Sequence, residues 1–275
     1  MITYIRKKIK TLLQARSNLE VSAGFYWDKK TQQRLNNPVC LESYGYKVYS
    51  QNDEDGIIQE ILRRIDRQTD RRFVEIGVGN GLENNTHYLL LRGWSGLWIE
   101  GSKKSFKQIQ EKFVNPINDG SLHIHNEYVT RENINAIFES YALSGEIDVL
   151  SIDIDGNDWH VLKAINTISP RIIIIEYNGK FPPDCEWVME YNPNYIWDKS
   201  DRHGASLKSL EILANQKGYQ LVGTNYIGVN AFFVRKDLVN ELFPVPSTAE
   251  NLYNPTRFAA VRYKNGHPAS TYIGS

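Results

Sequence analysis

Cysteine is scarce in this sequence of 275 residues, and an excess of charge of either sign is absent. The two cysteines, Cys40 and Cys185, lie far apart and lack the spacing of metal ligands, which excludes a disulfide-dense scaffold. Two reduced thiols favour a cytoplasmic protein. The 32 basic residues balance 32 acidic ones. Because nucleic-acid-binding domains are usually strongly basic, we expect no nucleic-acid partner.

No uninterrupted hydrophobic stretch is long enough to cross a bilayer. The longest aliphatic run, Ile172–Ile175, is far shorter than the roughly 18 residues that a membrane-spanning helix needs. We therefore expect no transmembrane segment. Residues 1–16 carry five basic residues and no acidic one, with apolar residues at helical spacing. This pattern favours an amphipathic helix that contacts an anionic membrane or a partner weakly, or one that packs on its own domain.

Short apolar strands alternate with amphipathic helices along the middle of the chain. The predicted strands are Arg72–Ile76, Gly96–Glu100, Leu122–His125, Asp148–Ile154 and Arg171–Glu176. Such runs of Val, Ile and Leu are typical of parallel strands that are covered on both faces. We therefore predict an α/β fold with a doubly wound, Rossmann-like sheet. Two later strands, Tyr219–Val222 and Ala231–Val234, are close enough in sequence to form a C-terminal antiparallel hairpin.

A glycine-rich turn follows the first predicted strand. Its glycines are Gly77, Gly79 and Gly81. Glycine lacks the Cβ atom that would hold a ligand away, and nucleotide-like ligands bind at this turn in open α/β sheets. A dinucleotide-binding motif would place a glycine where this chain has Leu82. Glu100, at the end of the second strand, suits the ribose hydroxyls of either an NAD or a methyl-donor ligand.

The order of these motifs resembles that of FkbM-type S-adenosylmethionine-dependent methyltransferases. The resemblance is carried by YSQNDED at 49–55, FVEIGVGNG at 73–81, ENNT at 83–86 and RGWSGLWIE at 92–100. Enzymes of this family are usually O-methyltransferases of sugars or natural products. The resemblance implies S-adenosylmethionine as the cofactor and a small-molecule or saccharide acceptor. It also implies a class I methyltransferase domain over residues 46–275, preceded by an N-terminal extension, residues 1–45, that is partly helical.

The resemblance implies a donor site around the glycine turn. The residues expected there are Glu75, Gly77, Gly79, Gly81, Thr86, Glu100 and Asp153. In this superfamily the acid at the end of the first strand, here Glu75, lies near the methionine part of the donor. The chain departs from the family at Asp155, since family members commonly have a VDxEG-like motif where this sequence reads SIDIDGND at 151–158.

Four oxygen-bearing side chains follow two strands that should be neighbours in the sheet. Asp153 and Asp155 stand two residues apart at one strand end, and Glu176 and Asn178 at the other. Because the carboxyl ends of parallel strands meet at one edge, we expect the four side chains to converge. Carboxylate and carbonyl oxygens suit Mg²⁺ or Mn²⁺, and a bound ion would lower the pKa of an acceptor hydroxyl. These four residues are therefore candidate metal ligands.

Two other interpretations of the same region remain open. Metal-free base catalysis would use a side chain from the group Asp155, Asp158, His160 and His203. Of these, Asp155, Asp158 and His203 are the candidate catalytic residues. In a purely structural interpretation, the turn at residues 155–158 only caps the helix that follows it.

Residues 178–203 form a long segment between a strand and a helix, and such segments are often lids. Its aromatic residues suit stacking on sugar rings, although a small hydrophobic core would also account for them. The leading hypothesis is an S-adenosylmethionine-dependent O-methyltransferase that acts on a hydroxyl of a sugar, a polysaccharide precursor or a natural product. The alternatives are a nicotinamide-dependent oxidoreductase and a non-catalytic binding protein on the same fold.

Overall fold

Seven strands form one sheet in the computed structural model, which describes residue 26 and residues 28–65, 70–197 and 200–257. They are β1 Arg72–Ile76, β2 Ser95–Ile99, β3 Leu122–His125, β4 Gly145–Ile152, β5 Ile168–Glu176, β6 Tyr219–Thr224 and β7 Asn230–Arg235. The spatial order is β3-β2-β1-β4-β5-β7-β6. Strands β1 to β5 run parallel, and β7 lies antiparallel between β5 and β6. The predicted doubly wound sheet with a C-terminal antiparallel hairpin is confirmed.

Helices cover both faces of the sheet. They are α1 over residues 28–35, α2 Glu54–Arg64, α3 His87–Leu91, α4 Lys103–Lys112, α5 Val114–Asn118, α6 Ile134–Ser140, α7 Asp158–Ala164, α8 Leu207–Gln216 and α9 Ala249–Leu252. Among the described residues, no helix combines the length and the apolar character that crossing a membrane requires. The expected amphipathic helix within residues 1–16 lies outside the described part of the chain.

Side chains of the strands alternate between two hydrophobic clusters, one on each face of the sheet. Val74 and Ile76 of β1 face the cluster built with α6, α7 and α8, whereas Phe73 faces the cluster built with α2, α3 and α4. Glu75 therefore points toward the α2 face. The same alternation directs Glu176 of β5 and Asn230 of β7 to that face, since Ile174 and Phe232, two residues away, belong to its cluster.

Candidate active site

A cavity of about 720 Å³ opens at the carboxyl ends of the strands, beside the point between β1 and β4 where the strand order reverses. Its volume lies within the range of about 300–1,000 Å³ that is usual for ligand pockets. Nine of the predicted site residues line it: Glu75, Gly77, Gly79, Glu100, Asp153, Asp155, Glu176, Asn178 and His203. Three others, Gly81, Thr86 and Asp158, do not line it. The topology thus brings most of the predicted residues into one cavity.

The three glycines of the turn have different surroundings. A Cβ atom on Gly77 would collide with the carbonyl oxygen of Asp153, so this glycine lets the turn pack against the end of β4. A Cβ atom on Gly81 would lie within 2.8 Å of the rings of Phe113 and Trp98. Gly79 has a φ of 57° and no heavy atom within 4 Å of an added Cβ, so its open side faces the cavity. Gly79 is therefore the glycine that offers space to a ligand.

Glu100 lies directly after β2 and holds the glycine turn in place. One carboxylate oxygen accepts a hydrogen bond from the backbone N–H of Gly79 at 2.8 Å, and the other accepts from the N–H of Ser102 at 2.7 Å. Burial raises the pKa of Glu100 above its ordinary value. The carboxylate lines the cavity beside Gly79.

Glu75 joins the end of β1 to the beginning of α3. Its carboxylate accepts hydrogen bonds from the N–H groups of Asn85 and Thr86 at 2.8 and 3.0 Å, and from the Thr86 hydroxyl. That hydroxyl in turn accepts from the indole N–H of Trp98 at 2.7 Å. Burial raises the pKa of Glu75 to about 7. Thr86 therefore donates hydrogen bonds to Glu75 from behind the cavity wall and does not line the cavity itself.

Three acids converge at the ends of β4 and β5. Carboxylate oxygens of Asp153, Asp155 and Glu176 lie within 4.8 Å of one another. Residues 152 and 175 are partners in the sheet, so Asp153 and Glu176 lie side by side. Burial, followed by repulsion between the acids, raises the pKa of Asp153 and of Glu176 well above the ordinary values. Such a cluster calls for a cation or for hydrogen-bond donors.

Asp155 is the exposed member of this acidic cluster and has a φ of 56°, in the left-handed region. Although the residue is exposed as a whole, surrounding protein atoms desolvate part of its carboxylate, which raises the pKa of Asp155. The nearby His203 opposes that shift. The ring of His203 lies 5.7 Å from that of Trp197, centroid to centroid. Asp155 and His203 therefore stand together at the cavity wall, where either side chain can meet an acceptor.

The other predicted side chains make structural contacts. Asp158 accepts hydrogen bonds from the N–H groups of Ile154 and Gly156 at 2.9 and 2.8 Å, so it stabilises the turn that carries Asp155. His160 pairs through Nε2 with the carbonyl of Met189 at 2.9 Å and lies off the cavity wall.

Asn178 lies on the cavity wall, but its amide is engaged. The amide nitrogen donates to the carbonyls of Asp201 and His203 at 2.8 and 3.1 Å, and the amide oxygen accepts from the N–H of Lys180 at 3.2 Å. Asn178 therefore tethers the start of the 178–203 segment to its end, and one lone pair of its amide oxygen is already used in this contact.

Residues 44–220, which are 177 of the 275, match the methyltransferase FkbM domain. The chain belongs to the FkbM methyltransferase family. The predicted family and the predicted enzyme class, an S-adenosylmethionine-dependent methyltransferase, are thereby confirmed. No curated protein resembles this FkbM methyltransferase closely enough to count as a match.

Similar solved structures share little sequence with this FkbM methyltransferase. The N-terminal domain of EvdMO1 with SAH bound is 16% identical, with 75% of this chain and 94% of that chain covered and a TM-score of 0.41. A SAM-dependent methyltransferase from Aquifex aeolicus is 11% identical, with coverages of 65% and 89% and a TM-score of 0.39. The glycopeptide N-methyltransferase MtfA complexed with sinefungin is 10% identical, with coverages of 68% and 89% and a TM-score of 0.41.

The 178–203 segment lies over one side of the cavity. Tyr195 and Trp197 line the cavity wall. The side-chain amide of Asn157 donates to the carbonyl of Asn192 at 2.7 Å and accepts from the N–H of Asn192 at 3.4 Å, which ties the segment to the start of α7. Farther along, the ring of Tyr191 lies 3.9 Å from the guanidinium carbon of Arg131. The predicted lid therefore has attachments on two neighbouring elements of this FkbM methyltransferase.

Several buried asparagines of the cavity wall were not predicted as site residues, and two of them, Asn230 and Asn84, have amide oxygens without a partner among the described residues. Asn230, at the start of β7, is 3% exposed and pairs in register with Glu176. Asn84, within the ENNT motif, is 5% exposed. A polar residue that heads an otherwise apolar strand was a signal for Asn230, but its partner depends on the register of a hairpin, which the sequence does not show.

Proposed function

We propose that this FkbM methyltransferase transfers a methyl group from S-adenosylmethionine to a hydroxyl of a sugar, a polysaccharide precursor or a natural product, in the cytoplasm. The observation that carries the proposal is the arrangement of one cavity. Its wall joins the open side of Gly79 and the Glu100 carboxylate to a cluster of three acids, Asp153, Asp155 and Glu176. The first part suits an adenosine-containing donor, and the second suits an acceptor that must lose a proton.

On the donor side, the residues fit the group that the family requires. Gly79 leaves room for close approach to the backbone, and Glu100 presents a carboxylate where ribose hydroxyls are held in sheets of this order. The bound donor would supply an electrophilic methyl group and leave as S-adenosylhomocysteine. Holding the donor and the acceptor in line is worth up to about 7–11 kcal/mol of the barrier.

On the acceptor side, a hydroxyl becomes a sufficient nucleophile as its proton departs. In the proposed step the acceptor oxygen forms a bond to the methyl carbon, the sulfur–carbon bond breaks, and the proton passes to Asp155 or His203. Desolvation raises the pKa of Asp155 above its ordinary value, which makes the carboxylate a better proton acceptor than a fully solvated one. Mg²⁺ or Mn²⁺ held by the acidic cluster would assist by lowering the pKa of the hydroxyl.

The proposal is tested by supplying S-adenosylmethionine with a labelled methyl group to a panel of glycosides and identifying the methylated atom. Asp155→Asn should keep the fold, since asparagine tolerates left-handed angles, and should retain the affinity for S-adenosylhomocysteine. Turnover should fall by at least about 100-fold, the low end for general acid–base catalysis. Glu83→Gln, which also removes a carboxylate of the cavity wall, is the matched control.

Three results would contradict the proposal. Methylation of nitrogen or carbon atoms alone would show that a hydroxyl is not the acceptor. Tight binding of NAD without binding of S-adenosylhomocysteine, measured by calorimetry, would favour the nicotinamide-dependent alternative. A protein that binds the donor and methylates no acceptor in the panel would favour the non-catalytic alternative.

A further inference from the structure

Asn230 occupies an unusual position on the cavity wall. It is the first residue of β7, it is 3% exposed, and it lies directly opposite Glu176 in the antiparallel pairing of β5 with β7. Side chains of directly opposed residues share one face of a sheet, with Cβ atoms about 4.5–5.5 Å apart. Because Asp153 lies beside Glu176, the side chains of Asp153, Glu176 and Asn230 follow one another across the neighbouring strands β4, β5 and β7.

Glu54, at the start of α2, determines which way the Asn230 amide faces. The Glu54 side chain is fully buried, and one of its oxygens accepts hydrogen bonds from the amide nitrogens of Asn225 and Asn230 at 2.8 and 3.0 Å. Its second oxygen accepts from the N–H of Asn52 at 2.8 Å. A carboxylate surrounded by donors acts only as an acceptor. The Asn230 amide must therefore present its nitrogen to Glu54 and turn its oxygen the other way.

That oxygen has no hydrogen-bond partner among the described residues, although it is buried. The same holds for the Oε2 atom of Glu176, the cross-strand neighbour of Asn230. Glu54 does not line the cavity, whereas Asn230 and Glu176 both do. Two buried acceptor oxygens without donors thus belong to residues that are cross-strand neighbours on the cavity wall. A buried acceptor without a donor is costly, which points to a ligand that satisfies both oxygens.

The spacing of the neighbouring acids suits a divalent cation. Oxygens of Asp153, Asp155 and Glu176 lie within 4.8 Å of one another, which is about twice the bond of 2.0–2.6 Å between such a cation and an oxygen ligand. One ion can therefore touch all three. Mg²⁺ and Mn²⁺ favour carboxylate and amide oxygens over nitrogen. Asn178, the amide ligand expected from the sequence, already accepts a hydrogen bond from Lys180.

We infer that Asn230 supplies a fourth oxygen ligand to a divalent cation held by Asp153, Asp155 and Glu176, and that Glu54 is the positioning residue that fixes its amide. The inference rests on the proposed function only where it places the ion beside the acceptor. Binding of the ion itself is measured without turnover, so the two proposals can fail separately.

The test is a calorimetric titration of the full chain with Mn²⁺, without donor or acceptor. Asn230→Ala should lower the Mn²⁺ affinity by about 10- to 100-fold, the range typical of residues that support a metal site. Glu54 keeps Asn225 as a donor in this variant, so the fold should hold. Asn85→Ala is the matched control, because it truncates another buried asparagine of the same wall, one whose amide already donates to Ser151, and it should leave the Mn²⁺ affinity unchanged.

Glu54→Gln separates positioning from a general structural role. The change should lower the Mn²⁺ affinity in the natural chain and have a much smaller effect in the Asn230→Ala background, since Glu54 acts through Asn230. Equal losses in the two backgrounds would overturn the positioning role. The melting temperature and the affinity for S-adenosylhomocysteine report whether each variant is folded.

Unchanged Mn²⁺ affinity in folded Asn230→Ala would overturn the inference. So would a natural chain that binds S-adenosylhomocysteine and methylates a hydroxyl but binds no Mn²⁺, and this result would leave the proposed function standing. Conversely, Mn²⁺ binding that depends on Asn230, in a protein that methylates no hydroxyl, would support the inference and contradict the proposed function.

Discussion

Gly79 differs from the glycines on either side of it in what surrounds its α-carbon. Gly77 and Gly81 leave room for protein atoms, namely the Asp153 carbonyl and the rings of Phe113 and Trp98. At Gly79 no protein atom fills the corresponding space, and the residue lines the cavity. Substitutions at the first two positions therefore disturb packing, whereas a substitution at Gly79 tests ligand binding.

We predict that Gly79→Val abolishes binding of S-adenosylhomocysteine, because the new side chain enters the space that the ligand needs. A side chain at a positive φ also costs roughly 1–2 kcal/mol of stability. Gly93→Val is the matched control, since Gly93 has a φ of 78°, has nothing within 4 Å of an added Cβ and lies outside the cavity wall. Both variants should lose similar stability in denaturant titrations. Calorimetry that finds natural affinity in Gly79→Val would remove the glycine turn from the donor site.

Among the larger elements, the 178–203 segment depends on a small set of attachments. The hydroxyl of Tyr191 donates a hydrogen bond to the carboxylate of Glu132, just before α6. Its ring contacts the Arg131 guanidinium on one side and lies 5.2 Å from the ring of His160, centroid to centroid. Tyr191 thus joins the segment to α6 and α7 together, close to the residues that line the cavity.

We predict that Tyr191→Ala loosens the segment and raises the KM for the acceptor, while the affinity for S-adenosylhomocysteine stays the same. Hydrogen exchange should quicken at the N–H groups of Met189 and Asn192, which bond to Gly204 and Asn157. Tyr191→Phe keeps the ring contacts and loses only the hydroxyl, so its effect should be smaller. Unchanged exchange in Tyr191→Ala would show that the other contacts hold the segment alone.

The bounds of the strands show how much of the fold could be predicted from the sequence. Strands β1 and β3 were predicted at the observed bounds, because local apolar runs determine them. Strand β5 begins at Ile168, three residues before the predicted Arg171, and Pro170 lies among the added residues. Pro170 is tolerated since β7 pairs only from Ile172 onward, so no partner on that side needs its missing N–H.

The site was predictable for similar reasons, but only in part. The acids at the ends of β4 and β5 follow apolar runs, so their convergence could be deduced from strand order. Asn230 could not be found in this way, because its position opposite Glu176 depends on a hairpin register that no local pattern determines. Local periodicity also does not show that the Asn178 amide would donate hydrogen bonds to the carbonyls of Asp201 and His203.

For the molecule as a whole, a formal charge of zero conceals an acidic cavity. The carboxylates of its wall are Glu75, Glu83, Glu100, Glu127, Asp153, Asp155, Glu176 and Asp201. Lys180 is the single lysine or arginine among the described wall residues, and it pairs with Asp201. The buried acids among them whose pKa is raised, Glu75, Asp153 and Glu176, hold protons that the unfolded chain would release.

Stability should therefore fall as pH rises. The pKa of Glu75 is raised to about 7, and those of Asp153 and Glu176 are raised well above their ordinary values, so in this range the folded state binds more protons than the unfolded state. We predict that these groups lower the free energy of unfolding as the pH rises from about 4.5, the ordinary pKa of a glutamate, to about 7, the raised pKa of Glu75. Glu176→Gln should reduce this slope, and Glu83→Gln should leave it unchanged. Urea titrations at several pH values check this, and parallel curves for the natural chain and Glu176→Gln would contradict it.

The position of β7 between β5 and β6 has a consequence for the order in which a nascent chain can mature. The donor-side residues Gly79 and Glu100 have both been synthesised once the chain reaches residue 100. Asn230, in contrast, reaches Glu176 only after β7 has left the ribosome. Strand β6 is made earlier but has no place in the sheet without β7, so the outer edge of β5 stays open throughout that interval. An open strand edge is a template for pairing with other chains. The last strand to emerge thus closes the reactive cavity and the exposed edge in one event.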